Sequence, residues 1–313
     1  MMNTTQCNYS PEVHATAQLS LAGIITTVSI IINTLFSYGL YQTRTQTLST
    51  ADKLFITQAV CDAASCVLFL LPANVYAHLT NNFCKILPGW TRDDHILYQK
   101  TLNTLFIFPI TATVLPGIIS LVRYVKIVGR QTISSVILAG LISIISVSQI
   151  GIVMVQIVVM WVSGMNDLFK PLLIVVYICL GFILILLITI NALLLHHVIS
   201  NAMPASNRTH NNEEKLTVTI LIVNACLIMT WLPDSICGAY ELLIRFNVIP
   251  ASAYTRVYIR YISGYLSFGI YINGATNGLI YMIRINRVKN FYKQKLGQLF
   301  KKRVEQVEAE TDM

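Results

Sequence analysis

Seven long apolar stretches of twenty or more residues recur along this chain, at 17–40, 54–78, 97–122, 133–162, 168–195, 213–244 and 257–283, the sixth opening on the charged Glu213-Glu214-Lys215. A helix of about 20 residues crosses a hydrocarbon core of about 30 Å, and a helix satisfies its own backbone polar groups where no water can. Each stretch is therefore read as a transmembrane helix. Composition agrees: charged residues make up 12% of the chain and hydrophobic ones 55%, whereas soluble domains carry about 25% charged residues. The fold class expected is an all-α membrane protein, a bundle of seven transmembrane helices. No cleavable signal peptide is expected, because the residues before the first span lack a basic start and an apolar core.

Seven crossings put the two ends on opposite sides of the membrane. With the N-terminus outside, fifteen of the 22 Lys and Arg residues fall on inner segments, the direction the positive-inside rule requires. The net charge of +8 then reads as attraction to anionic inner-leaflet lipid, and no nucleic-acid module is present. Residues 1–16 form an extracellular tail with sequons at Asn3 and Asn8, whereas the sequon at Asn207 lies on the cytoplasmic side. After the 17–284 bundle, 285–300 is basic with apolar residues at helical spacing, which suits a helix lying on the membrane surface. The 301–313 stretch, which turns acidic after Arg303, is expected to be an unstructured cytoplasmic tail. Five of the seven cysteines fall inside apolar spans, and no metal-ligand spacing is found.

The sixth span carries the most pointed pattern. Pro233 removes a helical hydrogen bond and crowds the carbonyl four residues back, so a bend is expected there. Trp231 and Asp234 are three apart and share a face, and a carboxylate at membrane depth must point into the bundle. A bent helix with charge at its inner end, Glu213 and Glu214, and this pair near its outer end reads as a lever between two compartments.

Several residues at fixed places make the chain resemble the rhodopsin-like G-protein-coupled receptors over roughly 31–300. Ala59-Val60-Cys61-Asp62 is similar to that family's acidic motif in helix two, and Trp231-Leu232-Pro233 to its tryptophan-x-proline toggle. Asn277-Gly278-Leu279-Ile280-Tyr281 resembles Asn-Pro-x-x-Tyr with glycine for proline. Val122-Arg123-Tyr124 resembles Asp-Arg-Tyr without the acid, and Phe291 stands where the surface helix usually has its aromatic. There are departures. Tyr98 stands at the usual disulfide cysteine of helix three, the fourth span has no tryptophan, and Leu105 replaces the aspartate of aminergic members. This divergence resembles invertebrate chemosensory or orphan receptors.

The resemblance implies three sites. Asp62, Asn273 and Asn277 would meet in mid-membrane as a polar core holding water with weak sodium, or one that only packs helices; Ala112 replaces the family's helix-three serine and removes one oxygen ligand. Leu105, Phe108, Trp231, Asp234, Cys237, Ser267 and Tyr271 would line the pocket of a small-molecule or short peptide ligand. Asp234 faces either a cationic ligand or an internal partner, Lys100 or Arg260. Arg123, Tyr124, Glu213, Pro233, Asn277 and Tyr281 would form the switch toward a heterotrimeric G protein, with Glu213 locking Arg123 in the resting state. In place of the missing disulfide, Cys7 is expected to pair with Cys84, the two cysteines left in the oxidising compartment.

The function expected is ligand-driven activation of a heterotrimeric G protein by outward movement of the sixth helix, from the plasma membrane. The rivals are a seven-span transporter or channel, against which the lack of internal repeats counts, and a receptor-like protein that no longer couples. No nucleophile–base pair or metal set supports an enzyme. The topology is tested by glycosidase mapping of single sequon mutants: glycans are expected on Asn3 or Asn8, and a glycan on Asn207 would overturn the orientation.

Overall fold

The computed structural model describes residues 12–44, 49–80, 107–127, 185–200, 208–245, 248–250 and 252–311, and positions 91, 94, 97, 98, 101, 102 and 105. Among these the chain is helical, with no strand. The helices are α1 (Glu12–Gln42), α2 (Thr50–Ser65), α3 (Leu71–Leu79), α4 (Ile107–Ile127), α5 (Ile185–Ser200), α6 (Arg208–Arg245), α7 (Ala253–Leu266), α8 (Phe268–Arg284) and α9 (Asn286–Thr311). Three stretches, His14–Gln42, Ala51–Leu79 and Lys215–Glu241, are long and apolar enough to cross a membrane. The fourth span, with the sequons, Cys7 and Cys84, lies outside the described residues.

Local sequence accounts for most helix boundaries. Ser49 caps α2 by accepting the Asp52 backbone N–H, while the Asp52 carboxylate returns a bond to Ser49, a capping box. The second span stays continuous through a π turn, Cys66–Leu70, that hands α2 over to α3. Pro72 explains it. Its ring has no N–H and crowds the Leu68 carbonyl, and the wider turn, closed by Leu71 N–H to Cys66 O, relieves that crowding. Ser252 starts α7 by capping Thr255 N–H at 3.1 Å.

Three boundaries depart from the sequence expectation. The linker expected from His196 is helical to Ser200, and α6 already begins at Arg208, because the first helix breaker after His196 is Pro204. The seventh span is divided at Ser267 into α7 and α8; the Ser267 hydroxyl donates to Gly264 O at 3.0 Å, a side-chain bond that competes with the helical ladder. The tail expected to be unstructured is helical to Thr311. After Gly297 it holds neither Gly nor Pro, and it spaces Lys301 four residues before Glu305, a helix-favouring pair.

Packing follows the apolar faces. α1 runs along α8 and against α2 and α3, α8 also contacts α6, and α4 lies between α2 and α6. In the lower half Tyr281 sits between Phe36 and Phe55, with ring centroids 5.4 and 4.7 Å away, inside a core completed by Ile118, Ile220 and Val223. At the other end of α1, His14 Nδ1 lies 3.1 Å from the Tyr265 hydroxyl and its ring stacks near Tyr261. Ile24, Met229 and Ile236 are more than 60% exposed, which on a transmembrane helix is the lipid face. α9 docks on α1 through buried Val288 and through the Tyr292 hydroxyl, which donates to Leu35 O. Its i+4 row then continues as exposed Leu296, Phe300 and Val304.

Close helix contact depends on glycine. A Cβ on Gly278 would sit 2.7 Å from Asn33 Oδ1 and 2.9 Å from the Ile32 side chain, whereas one on Gly23 meets nothing within 4 Å. Gly278→Ala should therefore cost about 1–3 kcal/mol of stability by overpacking, and Gly23→Ala should be neutral or stabilising by up to about 1 kcal/mol. Thermal unfolding of the purified protein in detergent checks both. Equal melting temperatures for the two variants would refute the close α1–α8 contact.

Candidate functional site: a buried polar core

Asp62 is 4% exposed on α2, and its surroundings are built to receive it. Gln58, one turn earlier on the same face, donates its amide Nε2 to Asp62 Oδ1 and to the Ala112 carbonyl of α4, both at 2.9 Å. Asn277 of α8 donates Nδ2 to Asp62 Oδ2 at 3.3 Å. Gly274, one helical turn from Asn277, lets the α8 backbone come close: a Cβ there would lie 3.0 Å from Asp62 Oδ1. Asn33 of α1 donates to Ser29 O at 3.0 Å and to Gly274 O at 3.3 Å. Four helices thus reach one carboxylate, either directly or through its neighbours.

Several acceptors in this core are left over. Asn33 Oδ1, Gln58 Oε1, Asn273 Oδ1 and Asn277 Oδ1 are buried without a hydrogen-bond partner among the described residues. A carboxylate with several unpartnered amide oxygens is the donor set of a hard cation or of ordered water, so the residues fit the sodium expectation even with Ala112 in place of serine. Asp62, Gln58, Asn273 and Asn277 are the residues that would hold such an ion. Among the described residues no three His, Cys, Asp or Glu side chains group as a transition-metal site.

The ligand-pocket candidates fall into two packing groups. Trp231 is buried with Leu187 and Leu227 and meets Ile270. Tyr271, the next residue on α8, instead packs with Ala22, Cys66 and Leu70. Asp234, Leu105 and Phe108 are half-buried. Cys237 directs its thiol toward Ile259 O, 3.8 Å away on α7, and Ser267 is engaged with its own helix. The side chains of Lys100 and Arg260 lie outside the described residues, and with them the internal partner considered for Asp234.

Toward the C-terminal end of α4 Arg123 is buried and Tyr124 half-buried, and Tyr281 is buried below the polar core. Glu213 lies in the first turns of α6, but its side chain is outside the described residues, so the Arg123–Glu213 lock is too. Other ties join the helices here. Arg287 of α9 forms an ion pair with buried Asp52 of α2, and Arg284 Nε donates to Thr219 Oγ1 of α6 at 3.0 Å. A separate polar cluster joins α4, α5 and α6: Asn224 Nδ2 donates to Ser120 Oγ and to Asn191 Oδ1.

Gln58, Ser120, Asn191, Asn224 and Asp52 did not stand out in the sequence. A signal existed for some of them. Gln58 precedes Asp62 by four residues, a hydrogen-bonding spacing on a helix, and Ser49-x-x-Asp52 is a capping-box pattern. Nothing in the linear pattern pairs Asn224 with Ser120 and Asn191. Compared with known proteins, the chain matches no family model and no curated protein.

Proposed function

We propose that this chain is a seven-span plasma-membrane receptor of the rhodopsin-like type, which binds a small extracellular ligand and promotes nucleotide exchange on a heterotrimeric G protein. The observation that carries the reading is a pair of buried charges at two depths on facing helices: Asp62 in the middle of the bundle and Arg123 at the cytoplasmic end of α4, 4% and 5% exposed. Charged side chains inside membrane helices are costly and rare, and they mark functional positions by default. Against α4 lies α6, 38 residues long with Pro233 inside it.

A ligand seated near Trp231 and Asp234 biases the tilt of α6 at Pro233, where a helical hydrogen bond is missing. Outward tilt uncovers Arg123 and Tyr124 for a helix of the G protein, and the ligand shifts the balance only by its differential affinity for the two states. In the polar core, Asn273 and Asn277 present oxygens on α8 and Gln58 orients the Asp62 carboxylate; a sodium ion bound there would supply a positive charge that favours the closed packing of α2 on α8. The anionic inner leaflet is the lipid partner of basic α9.

The test is guanine-nucleotide exchange by the purified protein in lipid nanodiscs, with a chemical library and one G protein of each class. At least one ligand should raise exchange, and Arg123→Ala should lower that response roughly tenfold at equal amounts of folded protein. Folded protein that stimulates no G protein in either the ligand-free or ligand-bound state would contradict the reading.

A further inference from the structure

Asn224 is fully buried on α6, nine residues before Pro233. Both protons of its amide nitrogen are committed to other helices, one to Ser120 Oγ on α4 and one to Asn191 Oδ1 on α5, the latter at 2.7 Å. The two acceptors have their own donors tied down. The Ser120 hydroxyl sends its proton to Pro116 O at 2.9 Å, and the Asn191 amide nitrogen donates to Leu187 O at 2.7 Å. The polarity of the cluster is thereby set: turning the Asn224 amide over would put its oxygen against the oxygen of Asn191. Each partner offers α6 one oxygen, and a single nitrogen takes both.

We infer that Ser120, Asn191 and Asn224 form a latch that holds the cytoplasmic half of α6 against α4 and α5, and that its opening is what frees α6 to tilt about Pro233. As a step in signalling this rests on the receptor reading above; as a mechanical property of the bundle it does not. The lever arm makes the latch sensitive. Nine residues at about 1.5 Å each put Asn224 roughly 13 Å along the axis from Pro233, so a tilt of about 10° moves it by roughly 2 Å. Both bonds then exceed hydrogen-bonding range together. The pivot end is held in place, because a Cβ on Gly269 would lie 2.7 Å from Thr230 O, showing how tightly α8 abuts α6 one turn before Pro233.

The neighbouring inward positions of α6, Ile220, Val223 and Leu227, are apolar and fully buried. An asparagine among them adds direction instead of packing area. Polar bonds between membrane helices are individually weak, which suits a catch that opens and closes. Ser120 also stands one turn before Arg123 on the same face of α4, so the latch closes directly above the proposed coupling residue.

The test measures the α4–α6 distance in the full chain in nanodiscs, by pulsed electron resonance between spin-labelled unnatural amino acids at positions 125 and 215. Asn224→Leu, similar in volume, should raise the ratio of long to short distances roughly fivefold to tenfold, and Ser120→Ala or Asn191→Leu roughly threefold each. Adding either of the latter to Asn224→Leu should change nothing further. An unchanged distance distribution in Asn224→Leu, even with a lower melting temperature, would make the cluster static packing and overturn the latch. If Asn224→Leu does not fold, Ser120→Ala, which removes a single oxygen, decides by the same readout. A shifted distribution in a protein that stimulates no G protein keeps the latch and removes the receptor reading, whereas ligand-driven exchange with an unshifted distribution removes the latch alone.

Discussion

A carboxylate buried among membrane helices is the constraint around which this structure is arranged. Asp62 is buried away from bulk solvent, and each of its oxygens is met by an amide N–H, from Gln58 on its own helix and from Asn277 on α8. Meeting those terms dictates much else. Gly274 must lack a side chain for α8 to approach, Gln58 must reach the Ala112 carbonyl on α4 with its second proton, and Asn33 must hold α1 against the Gly274 carbonyl. Breaking one partner of such a group leaves a buried charge uncompensated, which costs more than the bond itself contributes. The polar core therefore selects one register for four helices that apolar packing alone would leave free to slide.

The lower rim repeats the principle with charges nearer to water. Asp52 serves twice, closing the capping box of α2 and pairing with Arg287, so the start of α2 and the start of α9 are fixed by one carboxylate. Arg284 reaches Thr219 from the last turn of α8. Together these ties and Tyr292 hold α9 to the bundle over its first two turns, beyond which its apolar row is exposed. That leaves α6 tied at its lower half through Thr219 and Asn224, and thinned at Pro233 above. On the receptor reading proposed above, that combination is what would let α6 tilt.

What could be read from the sequence was set by how local the physics is. The apolar spans around 17–40 and 54–78 were legible because membrane thickness imposes length and composition directly. The Pro233 position inside α6 was legible because proline acts on its own helix. Asp62 and Asn277 could be expected to meet only through the family resemblance, since the bond joins residues more than two hundred positions apart. Ser120, Asn191 and Asn224 were not legible, because an isolated serine or asparagine in an apolar run commonly bonds to its own backbone, and only the three-dimensional crossing of α4, α5 and α6 shows which do more. The helical end of α9 is hidden in the sequence because its charged composition masks residues of good helix propensity, and the break at Ser267 is hidden because one serine in a long apolar span carries no visible breaker signal.

The account stands or falls on whether the bonds to Asp62 are coupled. A double-mutant cycle of Gln58→Leu and Asp62→Ala, followed by reversible unfolding in bicelles, measures this directly. The structure predicts strong non-additivity, with an interaction of about 1 kcal/mol or more, because removing Gln58 matters mainly while the carboxylate is there to be satisfied. Effects that add within about 0.3–0.5 kcal/mol would mean that Gln58 and Asp62 stabilise the bundle independently, and that the polar core is not what sets its register.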